Sequence, residues 1–201
     1  MESIPLELLT GRPVQERADA ARNREKVLAA AARLFAEKGV EAVSMDAVAA
    51  EAGVGKGTLF RRFGDKAGLA AALLDARERD LQQRVLSGPP PLGPGAPPAE
   101  RLAAFVRAYL GYLFAHLDLV RMSETASPGA RYRIGAYRFW HRHVAILLAE
   151  ARPGVDADAL AHALLAAVAA EPAGTLAAEC GRERAEAAVE ELAAALTRGH
   201  A

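Results

Sequence analysis

Residues 44–66 read SMDAVAAEAGVGKGTLFRRFGDK, and this stretch decides the fold. Ser44 is a good N-cap ahead of Met45, Val48, Ala49 and Ala52, and Gly53 is a stop, so the spacing predicts a two-turn helix over 45–52. After Val54 and Gly55, KGTLFRRF predicts a second short helix over 56–63, with Leu59 and Phe63 four apart on its inner side. Two short helices joined by a tight glycine-containing turn form a helix-turn-helix candidate, although a plain helical bundle also contains such hairpins. The charges favour the first reading. From Val54 to Lys66, the cations Lys56, Arg61, Arg62 and Lys66 are opposed only by Asp65. The start of the second helix adds unpaired amides and the positive end of a dipole, which suit phosphate oxygens. Gly55 and Gly57 give it little bulk, so backbone can approach a duplex closely.

On the N-terminal side, Val27, Leu28, Ala31, Leu34 and Phe35 lie at helical spacing and Gly39 follows Lys38, predicting a helix over 22–38. Residues 1–21, with Pro5, Gly11 and Pro13, read as a mobile arm. On the C-terminal side, Asp65 can cap a fourth helix over 66–86 carrying Leu69, Leu73 and Ala76. Residues 87–98, SGPPPLGPGAPP, can be neither helix nor central strand. Further helices are predicted at 99–117, 119–126, 130–151, 157–170 and 182–198, with 171–181 as a connector. The fold class is therefore all-α, with about nine helices.

The composition agrees. Of 201 residues, 52% are hydrophobic, mostly Ala and Leu, which favours helix over sheet. Lys plus Arg (25) balances Asp plus Glu (25), which excludes a uniformly basic coat but not a local basic patch. The single cysteine, Cys180, excludes an internal disulfide and CxxC chemistry. No apolar run reaches the ~18 residues of a membrane span. A soluble cytoplasmic protein with no membrane partner is expected.

The LFAEKG ending of the first helix (34–39), the AxxAGV turn (49–54), GTLFRRF (57–63) and Lys66 together resemble the DNA-binding domain of the TetR/AcrR family of transcriptional regulators, over about residues 22–74. The resemblance implies a helix-turn-helix domain at 22–66 and a regulatory and dimerisation domain at 67–201. It implies that Lys56, Gly57 and Thr58 begin the base-facing helix, and that Phe60, Arg61 and Arg62 touch phosphates or groove walls. Ser44 and Lys66 would grip phosphate at two helix starts. Position 60 is usually Tyr in the family, so Phe60 lacks a phosphate hydrogen bond. Gly68, where the family favours a helix former, suggests a softened fourth helix.

The resemblance also implies a small-molecule pocket in the larger domain. The rings and polar groups at Phe105, Tyr109, Tyr112, His116, Tyr137 and Trp140 are the candidates, and their aromatic character points to a largely apolar effector. In this family the last two helices pair with their twofold mates. That makes Leu160, Leu164, Val168, Val189, Leu192 and Leu196 the expected dimer contacts. His141 and His143 are two apart on a helix and face different ways, so no metal site is expected, and no cofactor. No nucleotide-binding glycine loop, GxSxG or HExxH occurs, so an enzyme is not expected. The reading is a ligand-responsive transcriptional repressor that binds a pseudo-palindromic operator in double-stranded DNA as a homodimer and is released by a small apolar effector. The rivals are a ligand-independent regulator of the same fold and a helical enzyme or scaffold.

Overall fold

The computed structural model describes residues 12–198, and these form eleven helices and no strand. The helices are α1 (Arg12–Lys38), α2 (Met45–Ala52), α3 (Lys56–Phe63), α4 (Lys66–Ser87), α5 (Pro98–Ala115), α6 (Leu117–Thr125), α7 (Ala130–Arg133), α8 (Gly135–Ala151), α9 (Ala157–Ala167), α10 (Ala170–Cys180) and α11 (Arg182–Thr197). Two compact units meet in the chain between Leu69 and Ala70. Among the described residues, no single helix is long and apolar enough to cross a membrane.

In the first unit, α1 buries Val27, Ala30, Ala31, Leu34 and Phe35 at three- and four-residue spacing against α2, which buries Met45, Val48 and Ala49. The expected arm is corrected from residue 12 onward. The stretch RPVQERADAA is helical, because it is rich in strong helix formers and its one proline sits in the first turn, where a missing N–H costs nothing. The rest of that arm lies outside the described residues. Gly68 is also more than a weak helix former. A Cβ there would stand 1.9 Å from the Phe63 carbonyl oxygen, so glycine is what lets the start of α4 close onto the end of α3.

In the second unit, the core joins Leu74, Leu81 and Val85 of α4 to α5, α8, α9 and α11. The buried face of α4 therefore runs through Leu69, Leu74, Leu81 and Val85. Leu73 is only half-buried and Ala76 is exposed, in contrast to the sequence phase. The Pro/Gly loop is anchored by Leu92, which is buried in the same core.

Two helical breaks were not legible. The expected 130–151 helix divides at Ile134, whose backbone is extended. The expected 157–170 helix stops at Ala167, and the supposed connector 171–181 is α10. Pro172 explains the second break. Its ring would clash with the carbonyl four residues earlier, at Val168, so the helix must restart just before it, with Pro172 in the new first turn. Gly174 then lets Leu117 and Arg121 of α6 approach the α10 backbone, a Cβ there lying 3.3 Å from Leu117.

His143 on α8 sets a pH response. Its ring meets Phe105 edge-on at 5.1 Å, and its Nε2 is buried without a hydrogen-bond partner among the described residues. Burial, helped by the nearby Arg101 guanidinium, lowers its pKa from 6.5 to about 4. The unfolded chain thus binds the extra proton first, so this contribution to stability is complete above pH 6.5 and is lost as pH falls toward 4. The shift corresponds to about 3 kcal/mol. Urea unfolding of wild type against His143→Gln between these two pH values should show the slope in wild type and its flattening in the variant. Equal slopes would mean that His143 is not buried in its neutral form.

Candidate functional site

The first unit presents α3 to solvent. Leu59 alone on this helix is fully buried, at 1% exposure, and it locks α3 onto the rest of the unit. Lys56, Gly57, Thr58, Phe60, Arg61 and Arg62 are all exposed. Phe63, expected in the core, is half-buried. Gly57 has open space around it, so its backbone is accessible. Gly55 is the N-cap of α3 and offers no side chain there, which leaves the first amides of the helix unclaimed by a capping group.

The cations differ in what holds them. Arg61 and Arg62 form no ion pair with any of the described residues, and they border a groove lined by Asn23, Val27 and Thr58. The Lys56 ammonium is 2.7 Å from the Asp46 carboxylate, and both groups are more than half exposed. Such surface pairs are worth about 0–1 kcal/mol, so a phosphate can replace Asp46 at little cost. Lys56 also lies 5.9 Å from the centre of the Phe60 ring. Ser44 accepts from the Ala47 amide at 3.1 Å, so its hydroxyl oxygen is committed to capping α2.

Lys66 corrects the sequence reading. Its ammonium donates to the carbonyls of Val40 (3.0 Å) and Glu41 (2.9 Å), and the Glu41 carboxylate is 3.8 Å away. Two of its three donors therefore clamp the turn between α1 and α2, and Lys66 is a strut of the helix-turn-helix before it is a phosphate contact. A contact across 26 residues of chain leaves no trace in local sequence pattern.

The second unit holds a cavity lined by Glu78, Tyr109, Tyr112, Val120, Ser123, Glu124, Arg131, Ile134, Tyr137 and Trp140, among others. Of the six residues expected to bind a ligand, Tyr109, Tyr112, Tyr137 and Trp140 form its wall. Phe105 lies behind them as pure core, packed on Tyr109 and Trp140. His116 stands at the junction of α5 and α6, against the edge of Tyr112, and does not reach the cavity. Burial and the Arg77 guanidinium lower its pKa.

The wall also carries charged groups. Arg131 and Glu124 form a buried ion pair in it, and Glu78 accepts from the Tyr112 hydroxyl at 3.1 Å. Burial raises the Glu78 pKa, an effect that the Tyr112 hydrogen bond opposes and Asp75 supports. Burial likewise raises Tyr109 and Tyr112. The cavity volume is about 20 Å³, the room of a single water.

The expected dimer contacts separate into three groups. Leu164, Val168 and Val189 are buried in the chain's own core and have no surface left for a partner, which corrects their assignment. Leu160 and Leu196 are partly buried against that core. Leu192 on α11 is 41% exposed, and Leu176 on α10, which the sequence reading had placed in a connector, is 37% exposed.

Residues 27–73 match the family described as bacterial regulatory proteins, tetR family. An HTH-type transcriptional regulator of Staphylococcus aureus (strain USA300) is 45% identical over 65 residues, which are 32% of this chain and 34% of that protein. The chain thus spans about a third of the length of the curated relatives it matches. The whole fold is similar to a TetR-family transcriptional regulator from Streptomyces coelicolor, with TM-score 0.60, 22% identity and coverage of 89% of this chain and 95% of that one. It is similar as well to Thermus thermophilus FadR, a TetR-family transcriptional repressor solved with lauroyl-CoA, with TM-score 0.63, 19% identity and coverage of 87% and 92%.

Proposed function

We propose that the chain, whose residues 27–73 match the tetR family of bacterial regulatory proteins, is a homodimeric transcriptional repressor. The observation that carries the proposal is α3 itself. One buried leucine fixes a helix whose other polar and cationic side chains are exposed, with Arg61 and Arg62 unpaired among the described residues. Each α3 enters one major groove of a pseudo-palindromic operator, Lys56 and Thr58 read base edges, and Arg61 and Arg62 hold phosphates.

The dimer forms through α10 and α11. Leu176 and Leu192 are exposed there, and Ala188 and Ala195 continue the Leu192 face as small residues that allow close packing. Twofold pairing would set two recognition helices on one operator. An effector would act by favouring a dimer conformation unsuited to the operator. A cavity of about 20 Å³ among the aromatic residues is too small for drug-sized ligands, which occupy about 300–1,000 Å³, and so favours a second reading, a regulator of the same fold that takes no effector at this site.

Selection of bound duplexes from a random pool tests the proposal. Wild type should recover an inverted repeat with half-sites about 34–36 Å apart. Leu192→Glu should sediment as a monomer with unchanged helix content and lose about 10²–10⁴-fold in operator affinity, because the two half-sites are no longer linked. Recovery of no consensus sequence would refute DNA reading, and an intact Leu192→Glu dimer would remove the α10–α11 interface.

A further inference from the structure

A second cluster of chemistry lies on α8 and α9. His141 of α8 and Asp158 and His162 of α9 each bring one ligand atom to within 4.8 Å of the other two. Asp158 and His162 are four apart, one helical turn, so they share a face. His141 and His143 diverge, as their spacing requires, but the partner of His141 comes from the next helix. The rings of His141 and His162 lie 3.9 Å apart between centroids. His141 Nε2 is 3.2 Å from the Asp158 carbonyl oxygen and 3.6 Å from its carboxylate.

We infer that His141, Asp158 and His162 form a binding site for a first-row divalent cation of the Zn²⁺ type. Two imidazoles and one carboxylate are the donor set such ions prefer, whereas Mg²⁺ and Ca²⁺ ask for oxygen alone. A tetrahedral ion with bonds of about 2.0–2.1 Å needs its ligands closer together than they now stand. Asp158, whose side chain is 76% exposed, can swing toward an ion, while the two imidazoles, 33° from parallel, must turn until one nitrogen of each faces it, with His141 Nε2 leaving the Asp158 carbonyl if it is the ligand. The start of α9 opposes a cation through its dipole, and Asp158 supplies the countercharge.

Tyr137 completes the arrangement. Its hydroxyl is 2.6 Å from His162 Nδ1. With Nδ1–H donating to the tyrosine oxygen, Nε2 keeps its lone pair for the ion, which is how metal-binding histidines are commonly oriented. Tyr137 is thus a positioning residue. It also lines the cavity of the second unit, so occupancy of the site is felt at the cavity wall. Three protein ligands leave an open position for water or an added ligand.

The test uses tag-free, chelator-treated full-length protein titrated with Co²⁺, followed by its visible absorption and by Zn²⁺ competition. One ion per chain with a tetrahedral spectrum is expected. His162→Gln and His141→Gln should each weaken binding by more than about 100-fold, and Tyr137→Phe by about 10–100-fold, the range for an outer partner. His116→Gln should bind as wild type. If the histidine variants lose their helical circular dichroism, Asp158→Asn on the surface serves instead and should also weaken binding. Equal affinity in wild type and a folded His162→Gln or Asp158→Asn protein would overturn the site, as would the absence of a tetrahedral Co²⁺ spectrum.

Discussion

Replacing Glu124 with Ala should destabilise the second unit by about 3–5 kcal/mol, the range for removing one partner of a buried ion pair. The side chains of Glu124 and Arg131 are 9% and 10% exposed. One carboxylate oxygen pairs with the Arg131 guanidinium, and the other accepts the Ala170 amide at 2.8 Å, at the very start of α10. Arg131 in turn donates to the Leu165 carbonyl at 2.7 Å, near the end of α9. The pair therefore ties together both ends of the α9–α10 break, where the helix ladder itself is interrupted.

The Ala variant leaves a buried guanidinium without its countercharge and a helix-start amide without an acceptor, and both costs fall on the folded state. Domains are commonly stable by about 5–15 kcal/mol, so the loss is a large share of the whole. Urea unfolding measures it. Glu124→Gln, which keeps an acceptor but not the charge, should lose less. A Glu124→Leu/Arg131→Met double variant should recover only part of the loss, because no unpaired charge remains but the Ala170 amide and the Leu165 carbonyl lose their partners. A Glu124→Ala effect below about 1 kcal/mol would show that water reaches the pair.

Operator affinity should fall about 10³-fold between 50 and 200 mM salt. Lys56, Arg61 and Arg62 give three phosphate or groove contacts in each subunit and twice as many in a dimer, since Lys66 is occupied at the α1–α2 turn. With a slope of about −0.9 per neutralised phosphate, the log–log dependence approaches roughly −5. Arg61→Ala and Arg62→Ala should each flatten it by about 2 per dimer while weakening operator and scrambled duplex alike. Lys56→Ala should weaken operator more than scrambled duplex. Filter binding across a salt series reads all three. A slope near zero would exclude α3 as the DNA-facing element.

The first unit was open to sequence reading because its determinants are local. Ser44, Gly53 and Gly55 end or start helices within one turn of themselves, and the apolar phase of α1 to α3 repeats over a few residues. The second unit was read less well for the opposite reason. Ala-rich α9 is apolar nearly all round and α11 carries apolar residues on more than one face, so composition could not say which of them face the chain's own core. Only packing separates buried Leu164 and Val189 from exposed Leu192.

Tertiary contacts decided the rest. Lys66 reads as a free cation until the turn it clamps, 25 residues upstream, is brought beside it. Arg131 lies within a run of surface-like arginines, but it is buried because Glu124 and Leu165 meet it inside. His141 has no ligand partner on its own helix and acquires one only when α9 packs on α8. The sequence alone determined an all-α chain and a basic helix-turn-helix, since helix caps, hydrophobic period and local charge act over a turn or two. Which face is core, which charge is free and which histidines meet depended on segments tens of residues apart, whose approach is set by the sum of burial over the whole unit and by no local pattern.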